Sequence, residues 1–210
     1  AGNDSLSFAF VDVPAEMGYT LRNHTGKDAN KDFIVEAMPP GIAPADYDGD
    51  GDIDLYCANG NQVVAYDERT KTVTWKEGPD APRNELYWNE GGKRFRPGGK
   101  EAGVDDWRWA FGSVAGDLDN DGDPDLYVCN WGPNRLYLND GTGHFKEVAK
   151  ALGAAGKPMD WSTGACMIDY DKDGDLDIYV AQYADMAAFL ENRSNVKVLP
   201  GGKLFGRTCE

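Results

Sequence analysis

The chain has 210 residues, 41% of them hydrophobic, with 36 Asp plus Glu against 21 Lys plus Arg and a formal net charge of -15. An acidic chain without a basic stripe argues against nucleic acid or an anionic membrane as partner, and no apolar run is long enough to cross a bilayer as a helix. The apolar share suffices for a real core, and 26 Gly with 11 Pro mark a turn-rich chain suited to many short strands.

The first predicted element is a strand at Phe8–Val13 (FAFVDV), with nothing before it to pair with. A short strand IAPA follows Gly41 and leads into the acidic run DYDGDGDID from Asp46, after which LYCAN reads as the next strand. VVAYD and KTVTW then suggest an added hairpin before Asn84-Glu85-Leu86-Tyr87-Trp88-Asn89, whose period-two alternation ends in the glycine turn EGG. A strand at KRFRP closes this unit. The pattern restarts with SVAG after Gly112, the run DLDNDGDPD from Asp117, LYVCN, then NRLYLN at 134–139 and HFKEV near Phe145. A third start follows Gly164, with ACMI, DYDKDGDLD from Asp169 and IYVAQ, but no NxLYxN strand comes after it. Met38, Trp109 and Trp161 stand three residues before the three glycines, and each glycine stands five before its loop.

Four strands per unit is the number in a propeller blade. The expected fold is therefore all-β, a partial β-propeller of four-stranded antiparallel blades with calcium loops. Residues 1–37 are expected to hold a strand that completes the last blade, plus a lead-in. Residues 38–104 form blade 1 with an insertion at about 59–83, 105–156 form blade 2, and 157–210 form an incomplete blade 3 with an insertion from about 182. Three blades are fewer than the usual four to eight that close a ring, so the remaining blades are expected from a longer polypeptide or another chain.

The three runs hold fifteen of the 36 acidic residues. Three bound divalent ions would cancel about two fifths of the net charge, whereas empty loops would repel themselves. Side chains at positions 1, 3, 5 and 9 can converge on one ion, position 7 can offer its backbone carbonyl, and glycine at 6 allows the sharp turn. This assigns Asp46, Asp48, Asp50 and Asp54 with the carbonyl of Asp52, then Asp117, Asp119, Asp121 and Asp125 with that of Asp123. The third set is Asp169, Asp171, Asp173 and Asp177 with the carbonyl of Asp175, while Asn120 and Lys172 at position 4 face solvent. An all-oxygen shell favours Ca2+ over zinc or iron, giving three sites. An EF-hand would need glutamate at position 12, where Cys57, Val128 and Val180 stand, and flanking helices where these flanks favour strands.

On the residues TLRNHTGKDANKDFIVEAMPPGIAPADYDGDGDIDLYCANG, FGSVAGDLDNDGDPDLYVCNWGPNRLYLNDGTGHF and TGACMIDYDKDGDLDIYV, the chain resembles the FG-GAP/VCBS repeat proteins, whose blades resemble the integrin alpha-subunit propeller. More narrowly it is similar to the cartilage-acidic-protein-like and UnbV-associated branch. The resemblance implies structural calcium loops, a secreted, periplasmic or cell-surface location, and adhesion, matrix or assembly roles. It also implies more polypeptide than the present residues.

No catalytic residue is assigned. His24 and His144 lie in ordinary turn contexts, and GxSxG, Walker, Rossmann and HExxH patterns are absent. The functional expectation is a binding or assembly scaffold within a larger protein or complex, with a protein or glycan ligand. The alternative is part of a propeller-based carbohydrate-active enzyme, a polysaccharide lyase or hydrolase using insertion residues such as Tyr66, Asp67 or Glu68. Trp109 and Trp161 read as blade packing, whereas Trp107 and Trp131 are candidates to line a ligand surface. MAAFLENRS reads as a short helix carrying Met186, Phe189 and Leu190. Cys57, Cys129 and Cys166 read as buried thiols, and Cys209 as a residue free to pair outside the chain.

Overall fold

Alternation of apolar and polar residues turns each unit into an antiparallel sheet. In this computed structural model the described residues are 15–26, 36, 38–67, 69–70, 72–185, 197–199 and 203–205. The expectations for Phe8–Val13, the MAAFLENRS helix and Cys209 fall outside them. After a 3-10 turn at Ala15–Met17 come β1 (Ile42–Ala45), β2 (Asp54–Cys57), β3 (Val63–Asp67), β4 (Thr72–Trp75), β5 (Glu85–Asn89) and β6 (Phe95–Pro97). The helical turn α1 (Gly99–Ala102) leads to β7 (Ala110–Gly116), β8 (Asp125–Asn130), β9 (Arg135–Asn139) and β10 (Phe145–Glu147). The last described strands are β11 (Asp160–Ile168), β12 (Asp177–Asp185), β13 (Lys197–Leu199) and β14 (Lys203–Phe205).

β1-β2-β5-β6 and β7-β8-β9-β10 are four-stranded sheets with neighbours in chain order, while β3 and β4 form a separate hairpin inserted into the first. Among the described residues β11 and β12 form a two-stranded sheet, as do β13 and β14, and Trp161 of β11 also makes an isolated antiparallel bridge to Trp131. The arrangement is an open run of propeller blades.

β8 is buried at every position because its two faces serve two cores. Leu126 and Val128 pack with Tyr56, Ala58, Leu86, Trp88 and Val104 of blade 1. Tyr127 and Cys129 pack with Leu136 and with Ala165, Met167, Ile178 and Val180 of blade 3. Each fully buried Leu or Val contributes about 1.5–3 kcal/mol, so the blade interfaces carry most of the fold.

The repeated glycines have a steric cause. β1, β7 and β11 run side by side as the first strands of successive sheets, close enough for backbone to meet backbone. A Cβ on Gly41 would sit 3.2 Å from the Phe111 oxygen and 3.3 Å from Gly112 Cα. One on Gly112 would lie 2.7 Å from the Thr163 oxygen and 3.0 Å from Gly164 Cα. One on Gly164 would meet nothing within 4 Å. Glycine is needed wherever another first strand is seated alongside.

Three sequence readings are settled by packing. Trp109 and Trp161 are core residues, 1% and 0% exposed. Trp131 does not line a surface: it is 2% exposed, because Trp75 of the inserted hairpin packs edge-on against it at 4.5 Å. Cys166 is exposed rather than buried, while Cys57 and Cys129 are buried as expected. Burial pushes the Cys57 thiol up to about 11 and Cys129 up to about 12.

The glycine contacts give an asymmetric expectation. Gly112→Ala should destabilise the chain by about 1–3 kcal/mol through overpacking, while Gly164→Ala should be nearly neutral. Thermal melts of both variants check this, and equal losses would remove the close-approach explanation.

Candidate metal centres

Each acidic run connects the first two strands of its sheet, so all three loops lie at the same rim of the arc. Gly51, Gly122 and Gly174 at position 6 have φ of 93°, 99° and 98°, as the sharp turn requires. Position 4 is left-handed too: Gly49 has φ 73°, Asn120 60° and Lys172 65°. Asn tolerates this conformation, whereas Lys stores strain there.

Carboxylate oxygens of Asp46, Asp48 and Asp50 lie within 4.8 Å of one another, as do those of Asp117, Asp119 and Asp125, and those of Asp169, Asp171 and Asp173. Backbone amides hold them inward. In the first loop Asp46 accepts from the Asp50 amide at 3.1 Å and the Gly51 amide at 2.9 Å, and in the second Asp117 accepts from the Asp121 and Gly122 amides, both at 3.1 Å. In the third, Asp169 Oδ2 accepts from the Gly174 amide at 3.3 Å. Asp169 Oδ1 is buried without a hydrogen-bond partner. A buried anionic oxygen facing two more carboxylates is a position for a cation. The donor set is all oxygen, which fits a hard divalent ion.

Several of these carboxylates, and the acidic residues outside the three groups, also brace the loops. Asp50, Asp121 and Asp173 accept from the amides of Asp52, Asp123 and Asp175 at 2.8, 3.1 and 3.0 Å, bracing the turn. Asp175 Oδ1 accepts from Asn120 Nδ2 at 2.6 Å, joining the second loop to the third. The ninth-position aspartates are brackets. Asp54 accepts from the Tyr47 amide at 3.0 Å and the Asn89 amide at 2.8 Å; Asp125 accepts from the Leu118 amide at 2.8 Å and the Asn139 amide at 2.9 Å. Asp125 thus belongs to the second carboxylate group while pinning its loop to β9. Asp177 accepts from the Tyr170 amide at 3.0 Å, and no third strand stands beside it among the described residues.

Asn89 and Asn139 are functional residues that sequence reasoning took only as strand ends. Asn89 Nδ2 donates to the Ile53 oxygen at 3.0 Å. Asn139 Nδ2 donates to the Pro124 oxygen at 3.2 Å and across to the Tyr47 oxygen of the first loop at 2.8 Å. The NxLYxN recurrence was the available signal. Its outer asparagines tie the acidic loops down, while Asn84 and Asn134 Oδ1 accept from the Asn59 and Asn130 amides at the other end of the strands.

Desolvation sets the electrostatics. It holds Asp48, Asp119 and Asp125 above the ordinary carboxylate value, with neighbouring carboxylates adding to it. Burial pushes Asp54 up to about 6, against the opposing pull of the Asn89 and Tyr47 amides.

Open antiparallel blades that each begin at an oxygen-rich acidic turn define the class of acidic-loop β-propellers. The FG-GAP-like repeat matches residues 46–128 and 117–180, more than half of the chain, and the chain belongs to that family. It is also similar to cartilage acidic protein 1 of Mus musculus, with 26% identity over 188 residues, which agrees with the narrower branch resemblance. That match covers 82% of this chain but only 28% of the mouse protein.

The raised carboxylates fix a pH dependence. Folded-state values above the ordinary one mean that, without a divalent ion, the native chain takes up protons on acidification before the unfolded chain does. Stability in a chelator should therefore rise as pH falls from about 7 toward about 5, between the folded value of Asp54 and its unfolded one. Millimolar calcium should reverse the order, because a ligand carboxylate must be ionised. Melts in chelator and in calcium at both pH values check it, and the same ordering in both media would refute it.

Proposed function

We infer that the chain is a calcium-stabilised propeller segment acting as a non-catalytic binding or assembly scaffold in a larger exported protein or complex. The observation that carries this reading is the contrast between equivalent residues along the arc. Tyr47, second in its loop, is 1% exposed under blade 2, whereas Tyr170 at the same place in blade 3 is 82% exposed. Tyr56 and Tyr127 on the second strands are 0% and 1% exposed, whereas Tyr179 is 70% exposed. Ile42 is 52% exposed at the opposite end, on blade 1. Residues that pack between blades elsewhere stand open where no further blade is seated among the described residues, which supports further blades as the partners, in the same polypeptide or another chain.

The metal part of the reading assigns Asp46, Asp48, Asp50 and Asp54, Asp117, Asp119, Asp121 and Asp125, and Asp169, Asp171, Asp173 and Asp177 as side-chain ligands. Asp52, Asp123 and Asp175 contribute by their carbonyls. Bound calcium would supply the positive charge that lets these carboxylates stay ionised side by side. A structural role for it fits the exterior, where extracellular modules bind calcium at about 10⁻⁴–10⁻³ M. Family membership supports the scaffold role, and the open tyrosines support further blades beside the present ones.

Two measurements test the reading. Calcium titration followed by melting should raise the midpoint, and Asp125→Asn should lose about 1–3 kcal/mol of that gain because it removes a ligand and unpins β9. Absence of any calcium-dependent stabilisation would remove the metal assignment. Sedimentation in calcium should show association through the exposed blade faces, which Tyr179→Asp should reduce. A compact, non-associating monomer would overturn the shared-propeller reading.

A further inference from the structure

The rim opposite the acidic loops carries a groove of about 320 Å³ at the seam between blades 1 and 2. Asn139 lies at the loop end of β9, so Arg135 at the other end of that strand belongs to this far rim. Arg83, Asp105, Asp106, Trp107, Arg135 and Glu147 line the groove. They come from four separate stretches of chain: the end of the blade 1 insertion, the inter-blade connection, β9 and β10.

The groove is pre-organised. Asp106 has a side chain only 6% exposed and accepts from Arg135 Nε at 2.8 Å and from an Arg108 guanidinium nitrogen at 3.0 Å. Arg83 donates to the Asp105 carbonyl oxygen at 2.9 Å and to its carboxylate at 3.3 Å. The connection is fixed from behind, with Asn61 Nδ2 donating to the Trp107 oxygen at 2.6 Å and the Asn84 amide to the Asp106 oxygen at 2.9 Å. Arg108 lies over the Trp107 ring, 5.3 Å from its centroid, and Trp107 stays partly exposed. Three arginines and three carboxylates balance locally, within a chain of net charge -15.

We propose that this groove is a binding site for neutral carbohydrate. A sugar hydroxyl both donates and accepts, so a vicinal pair can take a guanidinium N–H and give a proton to a carboxylate without breaking either ion pair. The part of the Trp107 indole that Arg108 leaves uncovered offers an apolar platform for the C–H face of a pyranose. An anionic glycan would have to draw the arginines from Asp105 and Asp106 and approach against the net charge, and a cationic ligand would meet the arginines. A larger hollow beside Glu85 and Glu101 is a poorer candidate, because Glu85 is committed to the Gly99 amide at 2.7 Å.

The proposal rests on reading the chain as a non-catalytic binding module, and its test separates the two. The 210-residue chain in millimolar calcium is titrated calorimetrically with neutral gluco-, manno-, galacto- and xylo-tetraoses and with tetragalacturonate. At least one neutral tetraose is expected to bind, and Trp107→Ala and Arg83→Gln should each weaken it about tenfold, the loss expected for one aromatic platform or one charge-assisted hydrogen bond. Arg83 is 38% exposed, so its variant keeps the fold and decides the matter if Trp107→Ala does not. No neutral tetraose bound at about 10 mM, roughly the weak end of useful affinity, would overturn the site. So would binding confined to tetragalacturonate, or binding undiminished in Arg83→Gln. A chain that keeps its calcium-dependent melt while ignoring every neutral tetraose loses this site and leaves the scaffold reading standing.

Discussion

The interaction on which each complete blade depends is a buried carboxylate that receives backbone amides from two directions. Asp54 and Asp125 each take one amide from their own loop and one from the third strand of their sheet. Each bond to a charged acceptor contributes about 1.5–3 kcal/mol, while desolvating a carboxylate costs several, so the two nearly cancel. The upward shift of Asp54 to about 6 shows desolvation winning when only protein groups are counted. The balance needs a positive charge. A cation among the neighbouring aspartates would supply it and would thereby couple metal binding to the pairing of the first three strands.

This coupling extends between blades. Asn139 reaches from blade 2 to the Tyr47 carbonyl of the first loop, and Asn120 bridges the second loop to the third. Tyr47 then packs edge-on against Phe145 at 5.6 Å. A loop in this chain therefore organises its own turn, its own third strand and part of the next blade. The first strands demand backbone-to-backbone approach at the glycines, so the inter-blade spacing is set by sterics on one side and by loop tethers on the other. Blade 3 has the glycine, the loop and the first pair of strands, and its Tyr170 and Tyr179 are exposed where Tyr47, Tyr56 and Tyr127 in the first two blades are covered.

Much of this was legible because repeats report on themselves. Three DxDxDG runs in register, alternating strands and the glycine five residues upstream gave the blade without any partner in view. The fates of Trp131 and Cys166 were not legible, because local apolarity does not say what arrives from elsewhere. Trp75 closes over Trp131 only after an inserted hairpin has folded back, and Cys166, paired with the exposed Tyr179, is open because no further sheet among the described residues packs on that face. The role of Asn89 and Asn139 was half-visible: recurrence marked the positions, and only register shows that each faces the end of an acidic loop. Lys172 was opaque for a different reason. Its side chain does face solvent, but its backbone is left-handed, a constraint that Gly49 at the same place in the first loop hinted at and that a lysine conceals.

The two rims of the arc are under different constraints. At the loop rim nine residues must place several oxygens around one point, so both length and composition are fixed by geometry. At the far rim the connection between second and third strands is free. It is the short NWGP link in blade 2 and a hairpin-bearing insertion in blade 1. The insertion also brings Arg83 beside Asp105 and packs Trp75 against Trp109 and Trp131. A scaffold whose fold is secured at one edge can diversify the other without loss of stability. On this chain the diversified edge is where charged groups from four segments converge beside a partly exposed indole, at a seam held open by two blades that the acidic loops keep in register.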